Sequence, residues 1–300
     1  MRWKNWITLM VALLAIGLVM GACQGDPTTE PGGSAPETTE PAASVAPVEA
    51  TAASVEIDQE FWFAGFHVDL GAASFDPSSG SVTVEATFEN LGSEPAVFEG
   101  TSSLAAAGAF YEASATQSLP TVPGLSTGAG QLAFDVDDAF TFEGAVLTVG
   151  LAEHQQAVVP FDASTAAVTL EPTSFDLAGD VSSGAIAATL TGAELRADVP
   201  AEHGQIEVGY QALTIGFDVT NHGSYAGGFA FSYGGNLALE LPDGTTIAAD
   251  DGPIELLTLG TTLPDQSVRF TIPEPATGQY RFVLIDDTES IKKYIPFEIA

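Results

Sequence analysis

Between Lys4 and Arg196 the chain has not one Lys or Arg. Seven basic residues stand against 40 acidic ones over the 300 residues, for a formal net charge of −33. Phosphate backbones need cations, so a nucleic-acid partner is excluded. Adhesion of the folded part to anionic lipid is excluded for the same reason. There is a single cysteine, Cys23, so no intramolecular disulfide can hold the fold and buried cores must do so. Past residue 22 no apolar run approaches the roughly 20 residues that a spanning helix needs.

What is present begins with a short basic patch, Arg2 and Lys4, followed by an almost continuous apolar run from Ile7 to Met20 and two small residues, Gly21 and Ala22. That order predicts a secretory leader over residues 1–22. Cys23 follows at once. Met20-Gly21-Ala22-Cys23 resembles a bacterial lipobox. The resemblance implies that the Cys23 thiol carries diacylglycerol, that the chain is cut before it, and that the new terminus is acylated as well. Two or more acyl chains hold a protein stably at a membrane where one does not. The expected location is therefore the extracytoplasmic face of the cell membrane, through a lipid anchor. From residue 23 to residue 54 Pro, Thr, Glu, Ser, Ala and Gly dominate. Such a tract buries too little surface to offset its ordering entropy and is expected to be a disordered tether. As a loose coil it reaches roughly 30 Å.

The remainder reads as all-β. In Ser81–Phe88 the residues Val82, Val84, Ala86 and Phe88 alternate with Ser81, Thr83, Glu85 and Thr87. Leu213–Thr220 and Ser267–Ile272 repeat the alternation, the period of a strand with one buried face. Short strands separated by Gly and Pro turns predict β-sandwiches. Two of these strands end alike, in Asn90-Leu91-Gly92-Ser93 and Asn221-His222-Gly223-Ser224. Asn tolerates left-handed backbone angles and Gly adopts them freely, so both are turn signals. The halves also close alike, with Val159-Pro160-Phe161 and Ile295-Pro296-Phe297. The paired landmarks lie 131 and 136 residues apart, the spacing of tandem domains. The expected organisation is one sandwich over 55–162, a linker or extra edge strand over 163–185, and a second sandwich over 186–300.

The second half resembles the immunoglobulin-like domains of unknown function carried by many Gram-positive and related lipoproteins. The residues behind the resemblance are the strand Leu213–Gly223, the turn Leu241-Pro242-Asp243-Gly244, and Leu263-Pro264-Asp265-Gln266 leading into an alternating strand. The first half shares it more faintly, without the Asp-Gly turn. That family is similar in fold to a secreted mycobacterial antigen. The resemblance implies an immunoglobulin-like fold and brings no catalytic residue.

Few positions carry chemistry. Asp243, Asp250 and Asp251 stand on neighbouring loops and could hold Ca²⁺, which takes several hard oxygen ligands. The competing reading is that Asp and Gly simply make good turns. His67, His154, His203 and His222 stand in no zinc-binding pattern, so the sequence marks no transition-metal site. No nucleophile-elbow motif marks a hydrolase serine, and no catalytic residue is assigned. Phe61-Trp62-Phe63 heads the densest apolar stretch after the leader, and Trp62 is the sole tryptophan beyond Trp6. Alternation sends Phe61 and Phe63 to one face and Trp62 to the other. One face is core; the other is a candidate interaction surface or lies against the second domain. Tyr225, Phe229, Phe231 and Tyr233 alternate onto one face too, first of all a core. The functional expectation is a non-catalytic binding or interaction module, for a protein, a wall polymer or a small ligand. The alternative is a spacer, or a cation-binding surface protein, suited to a saline medium.

Overall fold

A computed structural model describes residues 51–162, 165–223, 227–250, 252–286 and 291–300. The expected leader, Cys23, nearly all of the expected tether, Tyr225 and Asp251 lie outside the described residues. The described chain is all-β, and every strand pairing in it is antiparallel.

The first half forms eight main strands: β1 (Ala53–Phe63), β2 (Phe66–Asp76), β3 (Ser81–Asn90), β4 (Ser102–Ala106), β5 (Ala109–Glu112), β6 (Thr127–Asp135), β7 (Val146–Val149) and β8 (Ala157–Pro160). One sheet runs β1-β2-β3-β6 and a second runs β8-β7-β4-β5. Their inner faces share one core, and alternation dictates who enters it. Phe61, Phe63, Phe66, Val68, Val82, Val84 and Phe88 point in, and so do Leu104, Leu147 and Val159 from the other sheet. Phe98 is the hub. Its ring lies 6.3 Å from Phe61, 6.1 Å from Phe63, 5.6 Å from Phe66 and 5.1 Å from Phe88, mostly edge-on. Such pairs add to the roughly 1.5–3 kcal/mol that burial of each large apolar side chain supplies.

The second half forms β9 (Thr173–Phe175), β10 (Gly179–Ser182), β11 (Ile186–Arg196), β12 (Tyr210–Asn221), β13 (Leu237–Glu240), β14 (Thr246–Ala248), β15 (Thr262–Pro273), β16 (Gly278–Asp286) and β17 (Ile291–Ile299). One sheet runs β9-β11-β12-β15, with β10 also on β11; its companion runs β14-β13-β16-β17. They enclose a separate core that includes Ile186, Leu213, Phe217, Phe270 and Phe282. Phe229, Phe231 and Tyr233 are buried in it, so these aromatics fill the core rather than face solvent.

The segment between the halves divides its allegiance. Val168 pairs with Val158, and Thr169 O accepts from the Trp62 amide at 2.8 Å, both on the first sandwich. Then β9 and β10 pair with β11, and Leu177 and Val181 enter the second core. A run of mixed polarity can edge a sheet when a neighbouring strand offers it free backbone groups.

The two Asn-x-Gly turns do the same work in each half. Asn90 ends β3 and Asn221 ends β12, and both are fully buried. Asn90 Oδ1 accepts from Gly92 N at 2.9 Å, and its Nδ2 donates to Glu94 O and Val122 O. Asn221 Oδ1 accepts from Gly223 N at 3.0 Å, and its Nδ2 donates to Leu257 O.

Candidate functional site

The site grows from one tight turn. Ala64 and Gly65, with φ of 49° and 78°, join β1 to β2 in a two-residue hairpin. Positive φ at both central residues makes it the primed turn whose twist matches the flanking strands. This fixes the register: Phe63 faces Phe66, Trp62 faces His67, Phe61 faces Val68 and Glu60 faces Asp69. On the next strand His67 faces Glu89 and Asp69 faces Thr87.

Alternation then sorts these residues by face. Phe61 is fully buried and Phe63 is 6% exposed. As an interaction surface those two are corrected to core, because the rings of Phe61 and Phe63 pack on Phe98. Trp62 alone of the three reaches the outer face, where it is half-buried. Its ring lies on the His67 imidazole, centroids 4.4 Å apart and planes 12° apart. Thus Trp62, His67 and Glu89 form one row across three strands, with Glu60 and Asp69 in the row beside it.

The carboxylates converge on His67. Nδ1 meets Glu89 Oε2 at 3.1 Å. Nε2 meets Glu60 Oε2 at 3.0 Å and lies 3.7 Å from Asp69 Oδ1. The His67 side chain is 18% exposed, while those of Glu60, Asp69 and Glu89 are 51%, 57% and 45% exposed. Burial works against the charged ring. The hydrogen bonds to Glu89 and Glu60 and the charges of Asp69 and Glu60 outweigh it, so the imidazole titrates above its ordinary 6.5. Carboxylates only accept, so a ring bonded to Glu89 and Glu60 together carries protons on both nitrogens.

The hairpin tip is fastened to the second sandwich. Ala64 N donates to Gln205 Oε1 at 2.8 Å, and Gly65 N donates to Asp198 Oδ2 at 2.7 Å. Asp198 is 2% exposed, and its Oδ1 accepts from Arg196 Nε at 2.7 Å. The Phe66 ring lies 5.4 Å from that of His203. Further along the junction Gln155 N donates to Ile206 O, and Val208 N donates to Glu153 O. An open cleft of about 540 Å³ here is lined by Arg196 and Arg269, yet it is no ready anion site. Arg196 is paired with Asp198 and Glu194, and Arg269 with Glu202 and Asp250.

The expected Ca²⁺ ligands are occupied separately. Asp243 Oδ1 accepts from Thr245 N at 2.8 Å, closing the turn between β13 and β14. Asp250 accepts from Arg269 Nε, Thr271 N and Thr271 Oγ1. Among the described residues the group of donor atoms close enough to share one ion is Glu60, His67 and Asp69, all within 4.8 Å. The sequence hid this group because Glu60 on β1 meets His67 and Asp69 on β2 only across the hairpin. Centring a two-residue turn on Ala64-Gly65 would have exposed it, since that register pairs Glu60 with Asp69 and Trp62 with His67.

No family model and no curated protein matches the chain. Among solved structures, a conserved hypothetical protein of Bacillus anthracis aligns at 14% identity and a TM-score of 0.34, over 43% of this chain and 99% of its own. A conserved domain protein of the same organism aligns at 11% identity and 0.24, over 82% and 90%.

Proposed function

We propose that the protein is a lipid-anchored, extracytoplasmic, non-catalytic binding module that works through the outer face of β1, β2 and β3. The anchor is Cys23, and the Pro- and Thr-rich tether carries the tandem sandwiches away from the lipid surface. One observation carries the reading: Trp62, His67, Glu89, Glu60 and Asp69 form an outward group on three adjacent strands, two of them joined by a hairpin held at its tip. An aromatic ring beside converging polar groups is the composition of a recognition surface. The family that the second half resembles is carried on bacterial lipoproteins, which agrees with this placement. The runner-up is a stiff spacer, favoured by the hydrogen bonds that tie the two sandwiches together.

The test has two arms. Cys23→Ala should move the protein from the membrane fraction to the soluble extracytoplasmic fraction. Wild-type protein should bind isolated cell envelope saturably, and Trp62→Ala should weaken that binding about tenfold or more. Envelope binding that is absent, or indifferent to Trp62→Ala, refutes the binding module and leaves the spacer.

A further inference from the structure

We infer that Glu60, His67 and Asp69 form a binding site for a zinc-class divalent transition-metal ion, with Glu89 as the residue that orients the imidazole. The inference rests on the reading of this face as the working surface and names what it takes first.

The distances fit. Zn²⁺ bonds nitrogen and carboxylate oxygen at about 2.0–2.2 Å, so two tetrahedral ligand atoms stand about 3.3–3.6 Å apart. Nε2 lies 3.0 Å from Glu60 Oε2 and 3.7 Å from Asp69 Oδ1, on either side of that spacing. An ion seated among these three atoms takes the place of the Nε2 proton, and small torsions of two half-exposed carboxylates complete the geometry.

The surroundings fit as well. A histidine that ligates a metal through one nitrogen nearly always donates its other N–H to a carboxylate, a carbonyl or water. Here Nδ1 donates to Glu89 at 3.1 Å, which turns Nε2 toward Glu60 and Asp69. The stacked Trp62 ring holds the imidazole plane from its side. No Lys or Arg exists between Lys4 and Arg196, so no side-chain ammonium or guanidinium of this sandwich competes for the carboxylates.

The donor set chooses the metal. Ca²⁺ and Mg²⁺ take oxygen ligands, Ca²⁺ six to eight of them. One imidazole with two carboxylates suits Zn²⁺ and its neighbours. Three protein ligands on an open sheet face leave the fourth position to water or to a group of whatever docks on the face, the arrangement of an open rather than a closed zinc site.

The experiment is calorimetric titration of the full chain in detergent with Zn²⁺, repeated at high salt to screen diffuse binding to the acidic surface. One saturable site is expected that survives salt. His67→Ala should weaken it at least about 100-fold, and Glu89→Gln, which keeps the shape but weakens the orienting bond, about 10–100-fold. The pair Asp243→Asn and Asp250→Asn should leave it unchanged, and a thousandfold excess of Ca²⁺ should not displace the ion. Co²⁺ in place of Zn²⁺ gives a direct readout: the visible absorption of a four-coordinate site, lost in His67→Ala. Far-UV circular dichroism of each variant separates lost ligation from lost folding. Zn²⁺ binding that is absent, or that is unchanged in a folded His67→Ala variant, or that is displaced by Ca²⁺, overturns the inference. If wild type then still binds envelope in a Trp62-dependent way, only the metal falls and the binding module stands.

Discussion

Removing one carboxylate at the junction should loosen both the fold and the site. Asp198 is 2% exposed and holds two donors at 2.7 Å each: Arg196 Nε on its own sandwich and Gly65 N at the hairpin tip of the other. Arg196 is itself 10% exposed at its side chain. Its Nη2 is buried without a partner, and its Nη1 reaches Glu194 only at 3.4 Å. Asp198→Ala therefore strands a buried guanidinium and a buried amide together. Breaking a buried ion pair from one side costs about 3–5 kcal/mol. Asp198→Asn keeps one oxygen, for Gly65 N, but turns an NH2 donor toward Arg196 Nε, so it loses an acceptor as well as the charge and should still cost about 2–4 kcal/mol. Arg196→Met combined with Asp198→Asn removes both charges and should be more stable than Asp198→Ala alone, because no uncompensated ion remains. Urea unfolding followed by circular dichroism measures the three variants. Hydrogen exchange of the segment 61–67 reports the hairpin directly and should quicken in Asp198→Ala. A loss below about 1 kcal/mol, or unchanged exchange at the hairpin, would refute the claim that this carboxylate fastens the site to the second sandwich.

Three further outcomes follow from the same geometry. Asn90→Ala and Asn221→Ala should each cost about 2–4 kcal/mol in urea unfolding, since each strands a buried turn amide and at least one carbonyl; tolerance at either position would break the equivalence of the two turns. Gly65→Ala should destabilise by about 1–3 kcal/mol, because φ is +78° and an added Cβ would stand 2.9 Å from His203 Nδ1 and 3.0 Å from Pro200 backbone atoms; a thermal melt unchanged from wild type would count against the close approach. Asp76 and Asp243 are held below their ordinary 3.8, Asp76 first by the Ser78 hydroxyl and Asp243 first by the Thr245 amide. A depressed carboxylate contributes stability above its unfolded pKa and loses it as pH falls through the folded value, so both contributions should fade below pH 3.8. Carboxyl-carbon NMR should find both titrating below 3.8, with Ser78→Ala moving Asp76 alone back upward.

The strands were legible because their signal is local. Val82, Val84, Ala86 and Phe88 alternate with polar neighbours, and all four are buried. The Asn-x-Gly turns were legible because the chemistry of a turn lies within four residues, and the same bonds close both. The segment 163–185 was harder. Its strands β9 and β10 are three and four residues long, and only the free edge of β11 gives them a partner. Phe61-Trp62-Phe63 read as two faces, but which face is core was decided by Phe98, which gathers Phe61 and Phe63 from far along the chain. Asp243, Asp250 and Asp251 allowed two readings in the sequence, cation ligands or plain turn residues. In the fold Asp243 closes a turn and Asp250 answers Arg269 and Thr271.

Glu60, His67, Asp69 and Glu89 needed three strands in register before they became a group, and that register follows from a turn with a weak sequence signal. Alanine is a poor occupant of the left-handed region, and Ala64 sits there at φ 49°. What holds it lies outside the hairpin: Gln205 takes its amide and Asp198 takes that of Gly65. The second sandwich thus supplies the constraint that the hairpin sequence lacks, and the constraint reaches the outer face through Trp62↔His67, two residues from the tip. The same side chains placed at the far end of β1 would be free of this control. Placed next to the junction, their geometry depends on the second sandwich remaining docked. This gives the tandem arrangement a role that two independent beads would not have. If Asp198→Ala leaves the chain folded, it should also weaken Zn²⁺ at His67, although Asp198 touches neither His67 nor its carboxylates in any hydrogen bond described above. Unaltered Zn²⁺ affinity in a variant whose hairpin exchanges faster would show that the three-strand register alone sustains the site.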